Sequence, residues 1–161
     1  MKERIHECHY SLCTFDELSA DDQRLVAEAR QASLKSYAPY SHFHVGAALR
    51  LADGTLVIGS NQENAAYPSG LCAERTALFT AGANHPDTPV EAIAIAASNE
   101  EGIFTPQPTP PCGACRQVML ETETRFGHPM RILLYGTETT CVIAGGATEI
   151  LPLVFDGSFL R

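Results

Sequence analysis

The sequence predicts an α/β fold, a three-layer α/β/α sandwich in which one mixed five-stranded sheet lies between helices. Two observations lead to this prediction. Strand-like and helical patterns alternate along most of the chain. Two strand-like runs, residues 90–98 and 131–136, are largely apolar, which is typical of strands buried on both faces. The length of 161 residues fits a single domain, taken as residues 1–161 with residues 1–18 as an N-terminal extension.

The first helix is predicted directly after Ser19. Serine is a preferred N-cap residue, and Asp22 three positions later forms a variant of the capping box. The residues that follow carry an apolar stripe at helical spacing. The helix is expected to stop by Ala38, because Pro39 disfavours the helical conformation in the residue before it. Residues 5–15 alternate loosely and predict a short extra strand.

A hairpin and a second helix are predicted next. Residues 44–60 contain two β-rich runs on either side of Asp53-Gly54, which is a strong hairpin turn signal. The stretch "CAERTALFTAG" predicts a helix that ends at Gly82, because glycine is common just beyond a helix C-terminus.

The second half of the chain predicts a βαβ unit followed by one more strand. The stretch "GACRQVMLETETRF" predicts a helix that ends at Gly127 and connects the two apolar strands by a right-handed crossover. The last strand, in "TTCVIAGG", follows after only a few residues. A parallel connection needs a dozen or more residues, so this last pair is predicted to be antiparallel. The stretch "ATEILPL" predicts a short helical turn.

Composition disfavours several classes of partner. The formal net charge is −8, and the 11 basic residues are scattered, whereas nucleic-acid binding depends on clustered Lys and Arg. No apolar run approaches the roughly 20 residues that a membrane span needs. The N-terminus lacks the apolar stretch of a secretory signal, so we expect a cytoplasmic protein. In a reducing compartment, the six cysteines are more typical of metal binding or catalysis than of disulfides.

Three of the cysteines lie at predicted helix starts. Cys112 and Cys115 have the i, i+3 spacing that places both sulfurs on one side of a first helical turn, and Cys72 opens the preceding helix. Helix N-termini favour the thiolate, which is the metal-binding form. Helix starts also meet at ligand sites at the edge of α/β sheets. The alternative is that these cysteines are small buried hydrophobic residues.

The number of ligands separates two kinds of zinc site. Three protein ligands leave one position for water, as in catalytic zinc sites, whereas a structural site has four. The other cysteines and the six histidines are available as a fourth ligand, although none has a recognisable spacing to these three. Both kinds of site stay open on ligand spacing alone.

Glu74 and Arg75 follow Cys72 directly. A carboxylate near the metal but not bound to it can accept a proton from the water and deliver it elsewhere. Arg75 can donate to a thiolate sulfur and so moderate its electron donation. The alternatives are a glutamate that stabilises the helix dipole and an ordinary surface arginine.

The combination of "CAE" with a later "PCGAC" resembles the signature of zinc-dependent nucleoside deaminases. The stretches "YAPYSHFHVGAAL", "GSNQENAAYPSGLCAERTAL" and "TPPCGACRQVM" extend this resemblance to the homotetrameric, all-cysteine class of cytidine deaminases. It covers roughly residues 20–156. The chain departs from the family pattern in two places: an N-terminal extension, and a longer loop "SNEEGIFTPQPTP" before Cys112.

The resemblance implies a role for each site residue. It makes Cys72, Cys112 and Cys115 the ligands of one Zn²⁺ per chain, Glu74 the proton shuttle, and Arg75 a hydrogen-bond partner of the ligands. It also implies that the nucleoside is bound by Asn61 and Glu63 at the ribose, Phe43 and the backbone of Ala73 at the base, and Tyr67 and Phe155 at subunit-shared active sites. Taken alone, Asn61 and Glu63 could be turn residues, and Phe43 and Phe155 could belong to the core.

The function implied by the resemblance is hydrolytic deamination of cytidine and deoxycytidine in pyrimidine salvage. The resemblance also implies a homotetramer with shared active sites and with no nucleic-acid or membrane partner. One alternative is a deaminase of another cytosine-bearing nucleoside, such as an antibiotic. Two alternatives from other classes are a structural zinc module, which should supply a fourth ligand, and a thiol oxidoreductase. A dithiol motif usually follows the first strand of a βαβ pattern, and here Cys72 would have no role in it.

Overall fold

A six-stranded mixed sheet forms the centre of the computed structural model, which describes residues 1–160. The strands are β1 (Ser11–Cys13), β2 (His44–Leu51), β3 (Leu56–Ser60), β4 (Val90–Ser98), β5 (Arg131–Leu134) and β6 (Thr140–Ile143). Their order in the sheet is β1-β6-β5-β4-β2-β3. The β4–β5 pair is parallel and the β5–β6 pair is antiparallel, which confirms both predicted strand directions.

Three α-helices cover the two faces of the sheet. They are α1 (Ala20–Ser33), α2 (Ala73–Asn84) and α3 (Gly113–Phe126), and short 3-10 turns lie at Phe15–Glu17, Tyr67–Ser69, Ala147–Glu149 and Gly157–Leu160. The predicted three-layer sandwich is therefore confirmed. The sheet has six strands rather than the predicted five, because the short extra strand β1 pairs with β6 and extends the sheet at that edge. No helix within residues 1–160 combines the length and apolar character needed to cross a membrane.

The two faces of β4 separate the hydrophobic core into two clusters. Ala92, Ala94 and Ala96 face the cluster that contains α1, whereas Ile93 and Ile95 face the cluster that contains α2 and α3. This alternation follows from the two-residue period of a strand. Every one of these side chains is at most 1% exposed, as expected for a central strand covered on both faces.

Two glycines allow the helices to approach the sheet closely. A Cβ atom on Gly46 of β2 would lie 2.0 Å from the carbonyl oxygen of Ala29 in α1. A Cβ atom on Gly59 of β3 would lie 2.4 Å from the backbone nitrogen of Ala77 in α2. Close packing of backbone on backbone is a common reason for glycine inside a strand. The second contact fixes the position of α2, whose N-terminal end carries Cys72.

The helix boundaries agree with the prediction in two cases and differ in one. Ser19 caps α1 by accepting a hydrogen bond from the Asp22 amide at 3.2 Å, and Gly127 ends α3 with a left-handed φ of 64°. The predicted end of α2 at Gly82 is wrong, because the helix continues to Asn84. The amide of His85 still donates to Ala81 in the helical pattern, and Pro86, which has no N–H, follows it.

Candidate metal centre and active site

The N-termini of α2 and α3 bring three cysteines together. Cys72 and Cys112 are the N-cap residues of α2 and α3, and neither side chain caps its helix. Cys115 lies in the first turn of α3 and is buried. The sulfur of Cys112 lies 3.7 Å from that of Cys72 and 3.4 Å from that of Cys115, and all three sulfurs lie within 4.8 Å of one another.

This sulfur triangle has the dimensions of a zinc site. A Zn–S bond is about 2.3 Å long, and tetrahedral angles then place two sulfur ligands about 3.8 Å apart. The separations of 3.4 and 3.7 Å are close to that value. Within residues 1–160, no fourth cysteine, histidine or carboxylate belongs to the cluster. Three protein ligands are the number found in catalytic zinc sites, and four are the number found in structural ones.

The cluster favours a thiolate at Cys72. A hydrogen bond from the Cys115 thiol is the main cause that lowers the pKa of Cys72 to about 5, and the Arg75 guanidinium lowers this pKa further. The Nη2 atom of Arg75 donates to the Cys72 sulfur at 3.8 Å. The hydrogen bond to the Cys72 thiolate raises the pKa of Cys115 correspondingly, and burial adds to this increase. A thiolate is the form that binds metal.

Glu74 lies in the first turn of α2, two residues after Cys72, and is only 4% exposed. Burial raises the pKa of its carboxyl group, and the negative charge of Cys72 raises this pKa further. A carboxyl group with a raised pKa holds a proton more readily than an ordinary carboxyl group, so it can act as an acid as well as a base. Its place beside the cysteines, outside the sulfur cluster, suits a proton-transfer group better than a ligand.

A cavity of about 450 Å³ opens beside the sulfur cluster. Cys72 and Arg75 lie on its wall, and the other residues that line it are Tyr40, Ser41, Asn61, Gln62, Glu63, Asn64, Tyr67, Gly70 and Leu71. Its volume is within the range of small-molecule sites. Two larger cavities, of about 660 and 520 Å³, contain no member of the sulfur cluster, so we identify the site by its chemistry and not by its size.

Two polar residues of this wall hold the loop that precedes β2. The side-chain amide of Asn61 donates to the carbonyl oxygen of Phe43 at 2.9 Å and accepts from the amide of Val45 at 2.8 Å. The Oε2 atom of Glu63 accepts from the backbone amides of Tyr40 and Ser41 at 2.9 and 3.2 Å. These bonds give both residues a structural role, whatever they bind in addition.

A hydrogen bond from the Ser41 side chain is the main cause that lowers the pKa of the Glu63 carboxyl group, and the backbone amide of Tyr40 lowers this pKa further. Glu63 is therefore an anion at neutral pH that faces the cavity. The sequence did not single out Tyr40 and Ser41, because both hold Glu63 through backbone amides, and any residue type can supply an amide. Their location in "YAPYSHF", next to Phe43, is the only signal that the sequence offers.

Three of the remaining predicted substrate contacts, Phe43, Ala73 and Phe155, lie outside the wall of this cavity. Ala73 is fully buried, and Phe43 and Phe155 are 39% and 55% exposed. The ring of Phe155 stacks on that of Phe159 at 5.4 Å between centroids, and its carbonyl oxygen accepts from Gln117 at 2.8 Å. Tyr67 does line the cavity and is 76% exposed. The single chain thus leaves two aromatic side chains of the predicted site largely uncovered.

The histidines that could have supplied a fourth ligand make other contacts. His6 and His9 contact Glu149, and His42 pairs with Glu100 at 2.9 Å. His44 contacts Ser36. Within residues 1–160, none of these side chains joins the cysteine cluster.

Comparison with known proteins places the chain in a family. Residues 19–126, which are more than half of the chain, match the model of the cytidine and deoxycytidylate deaminase zinc-binding region. The chain belongs to this family. The matched region contains all three cysteines of the cluster together with Glu74 and Arg75. The convergence of three sulfurs rather than two argues against the thiol oxidoreductase, and the lack of a fourth ligand within residues 1–160 argues against the structural zinc module. Membership of a deaminase family argues against both.

Relatives within this deaminase family are similar over most of their length. The chain is 52% identical over 101 residues to a cytidine deaminase of Halalkalibacterium halodurans, covering 63% of this chain and 71% of the relative. It is 39% identical over 114 residues to a cytidine deaminase of Mycobacterium tuberculosis, covering 69% and 80%. A crystal structure of cytidine deaminase from Burkholderia pseudomallei aligns with a TM-score of 0.70 and 41% identity, over 82% of this chain and 97% of that one.

Proposed function

We propose that the protein catalyses the zinc-dependent hydrolysis of cytidine and deoxycytidine to uridine and deoxyuridine, with release of ammonia. The observation that carries this proposal is the cluster of Cys72, Cys112 and Cys115 sulfurs within 4.8 Å, beside the buried carboxyl group of Glu74. Relatives that are 52% and 39% identical are cytidine deaminases, which supports the choice of substrate.

The three cysteines would hold one zinc ion per chain, which supplies Lewis-acid chemistry that makes water a nucleophile at neutral pH. Glu74 accepts a proton from the attacking water and transfers it to N3 of the cytosine ring. After attack at C4, the same carboxyl group takes the remaining proton of that water from the new C4 hydroxyl group and delivers it to the exocyclic nitrogen. The C4–N bond then breaks, the C4 carbonyl forms, and the nitrogen leaves as ammonia. Its raised pKa favours both the uptake and the release of a proton.

The cavity beside the cluster would hold the nucleoside. Glu63 and Asn61 lie on its wall and are proposed to bind the ribose hydroxyl groups, for which a carboxylate anion is a strong hydrogen-bond acceptor. The backbone of Ala73 would contact the pyrimidine edge, and the ring of Phe43 would stack near the base. Arg75 would reduce the electron donation of the cysteine ligands through its contact with Cys72.

A homotetramer with shared active sites would complete the cavity. Tyr67 and Phe155 are 76% and 55% exposed, and Leu153 and Phe159 are 102% and 67% exposed. Exposed apolar side chains close together in one segment are typical of a surface that another chain covers. Closed symmetry would give each of the four sites the same wall, and exclusion of water strengthens electrostatic interactions within a site. We place the reaction in cytoplasmic pyrimidine salvage.

An absorbance assay tests the proposed function. Purified protein is incubated separately with cytidine, deoxycytidine, adenosine and a cytosine-bearing nucleoside antibiotic, and the loss of ultraviolet absorbance is followed. We expect turnover of cytidine and deoxycytidine, with none of adenosine. Turnover of the antibiotic alone would replace our substrate assignment with that of the antibiotic deaminases, and no turnover of any cytosine nucleoside by zinc-loaded protein would refute the proposal.

A further inference from the structure

We infer that Arg116 is a positioning residue that holds the zinc-ligand loop at Cys112. This inference rests on the proposed zinc ligation by the three cysteines. Cys112 and Cys115 differ in what holds them, because Cys115 is buried and Cys112 is exposed. Packing around the side chain therefore fixes Cys115. The position of the Cys112 sulfur depends on the conformation of its own backbone.

The guanidinium group of Arg116 joins two separate segments of the chain. Its Nε atom donates to the carbonyl oxygen of Pro111 at 2.9 Å, and its Nη1 atom donates to the carbonyl oxygen of Ile150 at 2.8 Å. Both distances are those of good hydrogen bonds. The planar guanidinium presents these donors in a fixed relative orientation, so the two carbonyl groups are held at a set separation.

The bond to Pro111 acts directly on the metal ligand. The carbonyl group of Pro111 and the amide of Cys112 belong to the same planar peptide unit. A bond that fixes this carbonyl therefore fixes the plane from which the Cys112 φ angle of −67° is measured. That angle helps to set the direction of the Cα–Cβ bond, and the resulting sulfur position lies 3.7 and 3.4 Å from the other two sulfurs.

The bond to Ile150 connects Arg116 to a segment that the core holds in place. Ile150 packs against the core cluster of α2 and α3, and the neighbouring Glu149 side chain accepts a hydrogen bond from the His9 amide of the N-terminal segment at 2.8 Å. Arg116 itself lies on α3, directly after Cys115. The loop before Cys112 is thus tied through Arg116 to a segment that is already held by the core.

The rate of zinc release from the loaded protein tests this inference. Zinc-loaded protein is mixed with an excess of a chromophoric chelator, and wild type is compared with Arg116→Met, Arg116→Lys and Gln117→Met. Loss of a partner that orients a metal ligand typically costs about 10- to 100-fold in metal affinity, so we expect Arg116→Met to release zinc at least about 10-fold faster. Lysine keeps the charge without the planar pair of donors, so Arg116→Lys should also release zinc faster than wild type.

Gln117 is the matched control. It is the next residue on α3 and also bonds the C-terminal segment, through the Phe155 carbonyl oxygen, but it makes no bond to Pro111. Gln117→Met should release zinc at the wild-type rate. Release as fast as in Arg116→Met would overturn the inference, because detachment of the C-terminal segment would then explain the effect.

The remaining outcomes separate this inference from the proposed zinc site. If Arg116→Met and Arg116→Lys both release zinc at the wild-type rate, while Cys112→Ala binds none, the zinc site stands and the inference is wrong. If Arg116→Met releases zinc faster but Arg116→Lys releases it at the wild-type rate, the inference is also wrong, because a positive charge without the planar pair of donors would then be enough to hold the loop. If wild type binds no zinc, both fail. Should Arg116→Met not fold, Arg116→Lys carries the test.

Discussion

The sulfur atoms of Cys72 and Cys112 lie 3.7 Å apart, although 40 positions separate the two residues in the chain. The contact exists because each cysteine is the N-cap of a helix, and the two helices pack on the same face of the sheet. The strand β4 and a long loop lie between them in sequence. The metal centre is thus a product of the fold, and its geometry depends on where α2 and α3 begin.

Replacing single cysteines distinguishes the ligands from the other cysteines. We expect Cys72→Ala, Cys112→Ala or Cys115→Ala to lose zinc and activity, because two sulfur ligands hold zinc far more weakly than three. Cys141→Ala is the control, since Cys141 is buried in the core cluster that contains α2 and α3 but lies outside the sulfur triangle. Metal analysis of each purified variant gives the zinc content per chain. Loss of zinc from Cys141→Ala would show that the site is wrongly drawn.

Glu123 is predicted to stabilise the fold through buried hydrogen bonds. Its Oε1 atom accepts from the backbone amides of Met130 and Ala147 at 3.0 and 2.9 Å, and so links α3 to the segments beside β5 and β6. A buried donor without a partner costs about 1–3 kcal/mol. We therefore expect Glu123→Ala to lower the free energy of unfolding by about 2 kcal/mol or more. Urea denaturation at equal protein concentration measures this, with the exposed Glu121→Ala as control.

The same residue predicts a dependence of stability on pH. Burial raises the pKa of Glu123 in the folded protein, so the folded state binds its proton more tightly than the unfolded state, in which the pKa is about 4.3. The stabilising contribution of this proton is complete below that value, and it is lost as pH rises through the higher pKa of the folded state. Glu123→Gln keeps an acceptor oxygen but does not ionise.

The difference in stability between Glu123→Gln and wild type should accordingly shift in favour of the variant as pH rises from about 4 toward neutrality. Urea denaturation of both proteins across this interval checks the direction. Parallel stability curves would contradict it and would mean that the Glu123 carboxyl group ionises as readily in the folded protein as in the unfolded chain.

The proposed shared active sites predict complementation between inactive chains. A Glu74→Gln chain lacks the proton shuttle, and a chain truncated before Phe155 lacks the aromatic residue proposed to reach a neighbouring site. Mixed oligomers contain some sites with an intact Glu74 from one chain and an intact Phe155 from another. We expect partial recovery of activity on mixing, and light scattering should give about four times the chain mass of 17.4 kDa. A fully active monomer would contradict both expectations.

Local patterns in the sequence predicted most of the fold. Ser19, Asp53-Gly54 and Gly127 each specify a helix end or a turn through their own chemistry, and the structure places these features where they were predicted. Gly82 misled the prediction because glycine is tolerated inside a helix at a modest cost. The helix continues past it until residues 85 and 86, where the His85 backbone leaves the helical conformation.

The candidate site was predictable only where side-chain chemistry carries it. Three cysteines and an adjacent Glu-Arg pair have few other reasons to occur together, so Cys72, Glu74 and Arg75 could be selected from the sequence. The backbone amides of Tyr40 and Ser41 that hold Glu63 leave no such mark. The role of Arg116 could not be predicted from the sequence either, because its partners are carbonyl groups that only the tertiary structure brings together.

Turnover by zinc-loaded Glu74→Gln protein tests the central claim most directly. Glutamine preserves the size of the side chain but cannot shuttle a proton, and general acid–base catalysis contributes about 10²- to 10⁴-fold. We predict that the variant keeps its fold and about one zinc per chain, while kcat for cytidine falls at least about 100-fold. Retention of more than about a tenth of the wild-type kcat by the fully zinc-loaded variant would contradict the account.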